Sequence, residues 1–191
     1  MPSSRDDLDS ELMRALADGD DLALNSLMEA WTGPLIAFFT RLTGDRAIAS
    51  DLAQETFMRI YRHRFRFRQN ERFSTWLFAI GANIARNHAR WRNRHPETLL
   101  AHEEIRELPP ATGEASPDEH VVLRERQAAV QRAVSTLPHD LREVVVLATW
   151  HGLSHAEIGK ALQISTKAVE TRLYRARKIL RDLLAKTLEA P

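Results

Sequence analysis

The run LSHAEIGKALQISTKAVETRLYRARK, from Leu153 to Lys178, leaves a folding chain little choice beyond two short helices around a tight turn. Ser154 and Glu157 have the spacing of a capping box, which satisfies the free amides at a helix start. Ile158 and Leu162 follow at helical spacing, with Gly159 between them where a second helix can cross closely. Gln163 and Ile164 make the turn; a left-handed conformation at Gln163, where glycine is common, costs about 1 kcal/mol. Ser165 is placed to cap a second helix whose Val169, Leu173 and Ala176 point inward. The opposite face shows Lys167, Glu170, Thr171, Tyr174, Arg175 and Lys178. This is the layout of a helix-turn-helix, whose second helix presents side chains to base edges and phosphates of duplex DNA. Solvated basic faces are also common on all-helical proteins, so the segment alone names a candidate partner and no more.

The net charge of +1 over 191 residues conceals strong blocks. Residues 1–30 carry eight acids against Arg5 and Arg14. Residues 62–95 carry nine arginines and no lysine against Glu71. Residues 96–119 return to seven acids against Arg106. Blocks of alternating sign imply different partners for different segments. The chain has no cysteine, which excludes disulfides, thiolate metal sites and a cysteine nucleophile. His151 and His155 stand four apart, but Gly152 and the cap Ser154 interrupt any helix that would put them on one metal-binding face. Enzyme chemistry, a metal or another cofactor is therefore not expected. No apolar run approaches the roughly 20 residues of a membrane span, and the acidic N-terminus is unlike a secretory signal, so a cytoplasmic protein is expected.

Nearly every apolar pattern has the helical period. Helices are expected from about Asp9 to Ala17, Leu22 to Trp31, Pro34 to Leu42, Ala47 to His63 and Ser74 to Arg92, with a basic loop from Arg64 to Arg72. Leu52, Thr56, Phe57 and Ile60 fall on one face of the fourth; Trp76, Leu77, Ile80 and Ile84 point inward from the fifth. Prolines and acids dominate from Pro96 to Asp118, a linker composition. Helical periodicity resumes at about Glu119, and Pro138 opens another helix. The expected fold is all-α: two helical domains, 1–95 and 119–191, joined by a flexible acidic linker at 96–118.

The arginine block also holds Phe65, Phe67, Phe73, Trp76 and Trp91. Basic residues track phosphates, and exposed aromatics stack on unpaired bases or wedge into a melting duplex, although Phe73, Trp76 and Phe65 are equally suited to a core. Asn83, Asn87 and Arg90 share one face of the long helix, where an asparagine can hydrogen-bond a base drawn from the stack. DLAQETFMRIYRH (Asp51 to His63) followed by RFSTWLFAIGANIARNHAR (Arg72 to Arg90) resembles region 2 of bacterial RNA polymerase sigma factors of the extracytoplasmic-function group. LPHDLREVVVLATWHGLSHAEIGKALQISTKAVETRLYRARK (Leu137 to Lys178) resembles region 4 of the same group. Asn87 departs from the aspartate frequent in the family.

The resemblance implies a set of roles. Asp51, Gln54, Glu55 and Arg59 match positions that dock on the clamp helices of the polymerase largest subunit, with the flap as a second contact. Arg66, Arg68 and Arg72 would wall a pocket for a flipped −10 base, Asn83 would line it, and Arg86, Asn87 and Arg90 would hold the strand. Pocket contacts offset the few kcal/mol that unstacking costs. Lys167, Glu170, Thr171, Arg172, Tyr174 and Arg175 would meet the −35 duplex, Arg175 at a guanine edge and Glu170 at cytosine N4, with Lys167, Arg172 and Arg177 serving phosphates or core packing. Where Glu170 stands, the family commonly has a basic residue. Partners implied are core polymerase, promoter DNA and an anti-sigma factor. The 23 residues from Pro96 to Asp118 reach roughly 75 Å at ~3.3 Å each, enough to span elements ~20 base pairs, or roughly 70 Å, apart. A stand-alone helix-turn-helix regulator is the competing reading; it would bind duplex DNA tightly without polymerase.

Overall fold

A computed structural model describes residues 5–68, 70–95 and 128–188. Among them every regular element is a helix. Helix α1 (Arg5–Ala17) opens on Asp6 and Asp7, whose charge suits the positive end of the helix dipole. Helix α2 runs unbroken from Leu22–Thr43, with Pro34 inside it. The sequence places a helix boundary before Pro34, and this expectation is corrected. Proline has no N–H, so the carbonyl four residues back loses its intrahelical donor. That carbonyl belongs to Ala30, and Arg5 Nη2 donates to it at 2.8 Å. A distant arginine thus supplies what the proline lacks.

Gly44 ends α2 in the left-handed conformation, its N–H donating to Thr40 O. Asp45 caps α3 (Arg46–His63) by accepting from the N–H groups of Ala47 and Ile48. A single 3-10 turn, Arg64–Arg66, begins the basic loop, and α4 (Phe73–Arg94) follows. Leu52, Thr56, Phe57 and Ile60 are buried as their spacing requires; Leu77 and Ile84 are buried, Trp76 and Ile80 half-buried. The linker at 96–118 and the helical periodicity up to residue 127 lie outside the described residues. A helical stretch over 128–136, α5, leads into α6 (His139–Thr149), α7 (His155–Leu162) and α8 (Thr166–Leu188).

Both parts of the chain contribute to one apolar core. Phe38, Phe39, Phe73, Phe78 and Ile60 fill the first four helices, and Trp31 meets Phe73 and Phe78 edge-on. Val144, Leu147, Ile158, Val169 and Leu173 fill the last three. The two groups join where α4 lies against α7 and α2 against α6. His151, in the turn after α6, reaches between Phe38 and Phe78, its ring centroid 4.4 Å from that of Phe78.

Two arginines cross this junction in opposite directions. Arg142 of α6 donates through Nη1 to Leu42 O at 2.6 Å and through Nη2 to Leu137 O at 2.9 Å and to Ser135 O. Arg86 of α4 donates to Leu162 O at 3.2 Å. Each guanidinium therefore sits at the carbonyl end of a helix from the other part of the chain, where unpaired carbonyls and the dipole favour a cation.

Candidate nucleic-acid interface

The helix-turn-helix forms as its sequence dictates. Ser154 Oγ accepts from Glu157 N, and Glu157 Oε2 accepts from Ser154 N at 2.7 Å, completing the capping box. Gln163 occupies the left-handed region at φ 58°. A Cβ on Gly159 would stand 2.9 Å from Ile164 O, which is why the turn comes so close to α7 there. Ser165 Oγ accepts from Ala168 N, and Val169, Leu173 and Ala176 are buried. Lys167, Glu170, Thr171, Tyr174 and Arg175 form an open face, with Tyr174 73% exposed. Arg172 is turned away from it and lies half-buried, its Nε 3.6 Å from Asp140 Oδ2. Arg177 is exposed.

On α4, Asn83, Asn87 and Arg90 form a second open strip. Arg66 and Arg68 are exposed in the loop before it. Phe65 is 70% exposed, and the Arg64 guanidinium lies 4.4 Å from both the Tyr61 and Phe65 rings. Phe73 is core, Phe67 and Trp76 pack beside it, and Trp91 is exposed with His95 stacked upon it. Of the rings in the arginine block, Phe65 and Trp91 are therefore the exposed ones.

Arg72 and Arg86 are not grouped with that strip. Arg72 Nε donates to Asp6 Oδ2 and Nη1 to Glu157 Oε1, both at 2.8 Å, tying α1 to the capping box of α7. These bonds hold Arg72 above the usual arginine range. Burial works to raise the Glu157 carboxyl, yet Ser154 and Arg72 together pull it below its ordinary value. Arg86 also faces Glu143, with Nε 4.0 Å from Oε1. Glu143 is 1% exposed, and burial pushes its carboxyl up to about 7 despite Arg86 and Arg172. His139 Nδ1 stands 3.2 Å from the same oxygen without hydrogen-bond alignment, and burial pushes that imidazole down to about 4.

On α3, Asp51 and Gln54 are exposed, while Glu55 and Arg59 are half-buried and paired at 2.6 Å. Sequence reasoning missed the apolar part of this surface. Leu22, Met28, Phe57, Met58 and Tyr61 line a groove of about 720 Å³ between α2 and α3, with Gln54 and Arg62 on its rim. The available signal was the position of Leu22 and Met58, large apolar residues outside the helical core stripe, which stand 73% and 52% exposed.

Residues 27–95 match the family description "Sigma-70 region 2", and residues 127–180 match "Sigma-70, region 4". A Pseudomonas aeruginosa protein named RNA polymerase sigma-H factor is 31% identical over 176 residues, covering 90% of this chain and 91% of its own. The chain belongs to the sigma-70 family. Within that family it falls in the extracytoplasmic-function group, as the ECF RNA polymerase sigma-E factor of Escherichia coli illustrates, 30% identical over 178 residues and covering 90% and 92% of the two chains. Among solved structures, CnrH in complex with the cytosolic domain of CnrY aligns with TM-score 0.68 at 27% identity, covering 94% of this sigma factor and 98% of CnrH. Among the described residues of the sigma factor, no cluster of three metal-ligating side chains occurs, and no helix is long and apolar enough to cross a membrane.

Proposed function

We propose that this sigma factor is a dissociable promoter-specificity subunit of bacterial RNA polymerase, working in the cytoplasm and without enzymatic activity of its own. The observation that carries the reading is the presence in one chain of two separate open faces suited to DNA: Asn83, Asn87 and Arg90 on α4, and Lys167, Glu170, Thr171, Tyr174 and Arg175 on α8. The first would hold the melted −10 strand, with Arg66 and Arg68 along its path and Asn83 against a flipped base. The second would read the −35 major groove. Asp51 and Gln54, beside the apolar groove of α2 and α3, would dock on core polymerase, and the Glu55–Arg59 pair would stiffen that helix face.

Domains in contact cannot serve elements roughly 70 Å apart, at ~3.4 Å per base pair. Promoter binding therefore requires the two parts to separate and frees Arg72 and Arg86 for DNA. The closed arrangement is the state an anti-sigma factor would hold. CnrH, 27% identical, is seen with the cytosolic domain of CnrY. In vitro transcription by core polymerase over a promoter library, with and without this chain, tests the reading. Start sites that depend on the chain are expected. Tight operator footprints without polymerase, and no added start sites, would replace the reading with a stand-alone regulator.

A further inference from the structure

The proline in α2 also shapes a cleft at the domain junction. Arg5, Trp31, Pro34 and Arg41 form one wall, and Trp150 and His151, from the turn after α6, form the other. The space between them is about 420 Å³, within the roughly 300–1,000 Å³ typical of small-molecule sites. Both arginines lie on indoles: Arg5 Cζ is 4.6 Å from the Trp31 ring centroid and Arg41 Cζ 4.9 Å from that of Trp150. Stacking engages the guanidinium face and leaves the in-plane N–H donors available. Arg5 uses one on Ala30 O, and Arg41 uses Nη1 on Ala37 O.

Two polar atoms here remain unanswered. Arg41 Nε and His151 Nε2 are buried and have no hydrogen-bond partner. Such a group costs about 1–3 kcal/mol if it stays unmet. Among the described residues no carboxylate pairs with Arg41, and burial alone lowers its hold on its proton. Of the acids near Arg5, Asp9 is buried and already accepts from Trp31 Nε1 at 3.1 Å, and Asp6 accepts from Arg72 Nε at 2.8 Å. The cleft therefore combines two guanidinium groups, of which Arg41 has no carboxylate partner among the described residues, with the part-exposed indole of Trp150.

We infer that this cleft binds a small oxyanion carrying a planar ring, the oxyanion on Arg41 and the ring against the Trp150 indole. The shared chemistry fits an aryl carboxylate or a nucleoside monophosphate. Because the walls come from different domains, the occupant holds the closed arrangement together. The inference rests on the cleft and not on the promoter-reading assignment, so the two stand or fall separately.

Isothermal titration of the full chain with salicylate, adenosine monophosphate and inorganic phosphate tests it, and the first two arms separate the carboxylate source from the phosphate source. Saturable one-to-one binding of at least one ring-bearing probe is expected, with a Kd below about 1 mM and roughly tenfold tighter than inorganic phosphate. Arg41→Gln and Trp150→Leu, each confirmed folded by circular dichroism, are expected to weaken it about tenfold or more. Arg14→Gln, the same charge change on the exposed face of α1, is expected to leave it unchanged. The inference is overturned if no probe saturates at about 10 mM, the outcome for a cleft holding only water. It is equally overturned if both cleft variants bind as the parent does, or if Arg14→Gln weakens binding as much as Arg41→Gln.

Discussion

Asn83 stands exposed on α4. Asn83→Ala is expected to slow open-complex formation on a cognate promoter while leaving affinity for core polymerase unchanged; permanganate footprinting and a core-binding titration read the two effects. Equal footprints would remove Asn83 from the pocket. Gln163 carries a different cost. At φ 58° its Cβ strains a left-handed turn that glycine adopts freely. Gln163→Gly should therefore stabilise the chain by up to about 1 kcal/mol in urea unfolding. His151 governs an acid limb. Burial first, and then Arg41, push its imidazole down to about 3, so below the unfolded value of 6.5 only the unfolded chain takes up a proton. Stability from this group is intact above pH 6.5 and lost as pH falls toward 3, by at most about 1.4 kcal/mol per pH unit. His139, pushed down to about 4, acts in the same direction, and Glu143, pushed up to about 7, opposes both. Two histidines outweigh one carboxyl between pH 4.5 and 6.5, so stability should fall on acidification across that window. His151→Phe, set among Phe38 and Phe78, should flatten the slope in thermal unfolding between pH 6.5 and 4.5. An unchanged slope would show that the ring already titrates freely.

At the scale of elements, α7 depends on its start. Ser154→Ala removes the acceptor for Glu157 N and is expected to cost about 1 kcal/mol, measured as a shift in the urea midpoint. Glu157→Ala should cost more, because it breaks the capping box and the Arg72 bond together; equal losses would mean that the Arg72 contact adds nothing. Most elements were legible in sequence because their signals are local: the Asp45 cap, the Gly44 stop and the Ser154 box each act within four residues. Pro34 was misread for the same reason. The donor that lets α2 continue past it comes from Arg5, about 25 residues away in the chain. The open face of α8 was legible from helical period, as buried Val169 and Leu173 fix which side of the helix looks outward. The contacts of Arg72, Arg86 and Arg172 were not. Their partners Glu157, Leu162 and Asp140 lie on other elements, and no periodicity links them.

For the whole molecule, the closed arrangement rests on a few polar contacts and a shared apolar seam. The Arg72–Glu157 pair is half exposed and worth at most about 1 kcal/mol, whereas Arg142 is more buried and satisfies three carbonyls. The chain has no cysteine, so Arg14→Cys and Arg181→Cys, both exposed, provide a clean pair for energy transfer between dyes. Transfer should drop when core polymerase and promoter are added. In the free chain it should drop further for Arg142→Ala than for Arg72→Ala. Constant transfer on holoenzyme assembly would contradict a closed-to-open change. The seam itself has a thermal consequence. Separating the domains wets Phe38, Phe78 and Leu162, and exposing apolar surface raises heat capacity. Apolar association weakens on cooling, so the balance between closed and open chains tilts toward open as temperature falls. The seam where Phe78 meets His151 is therefore expected to loosen on cooling.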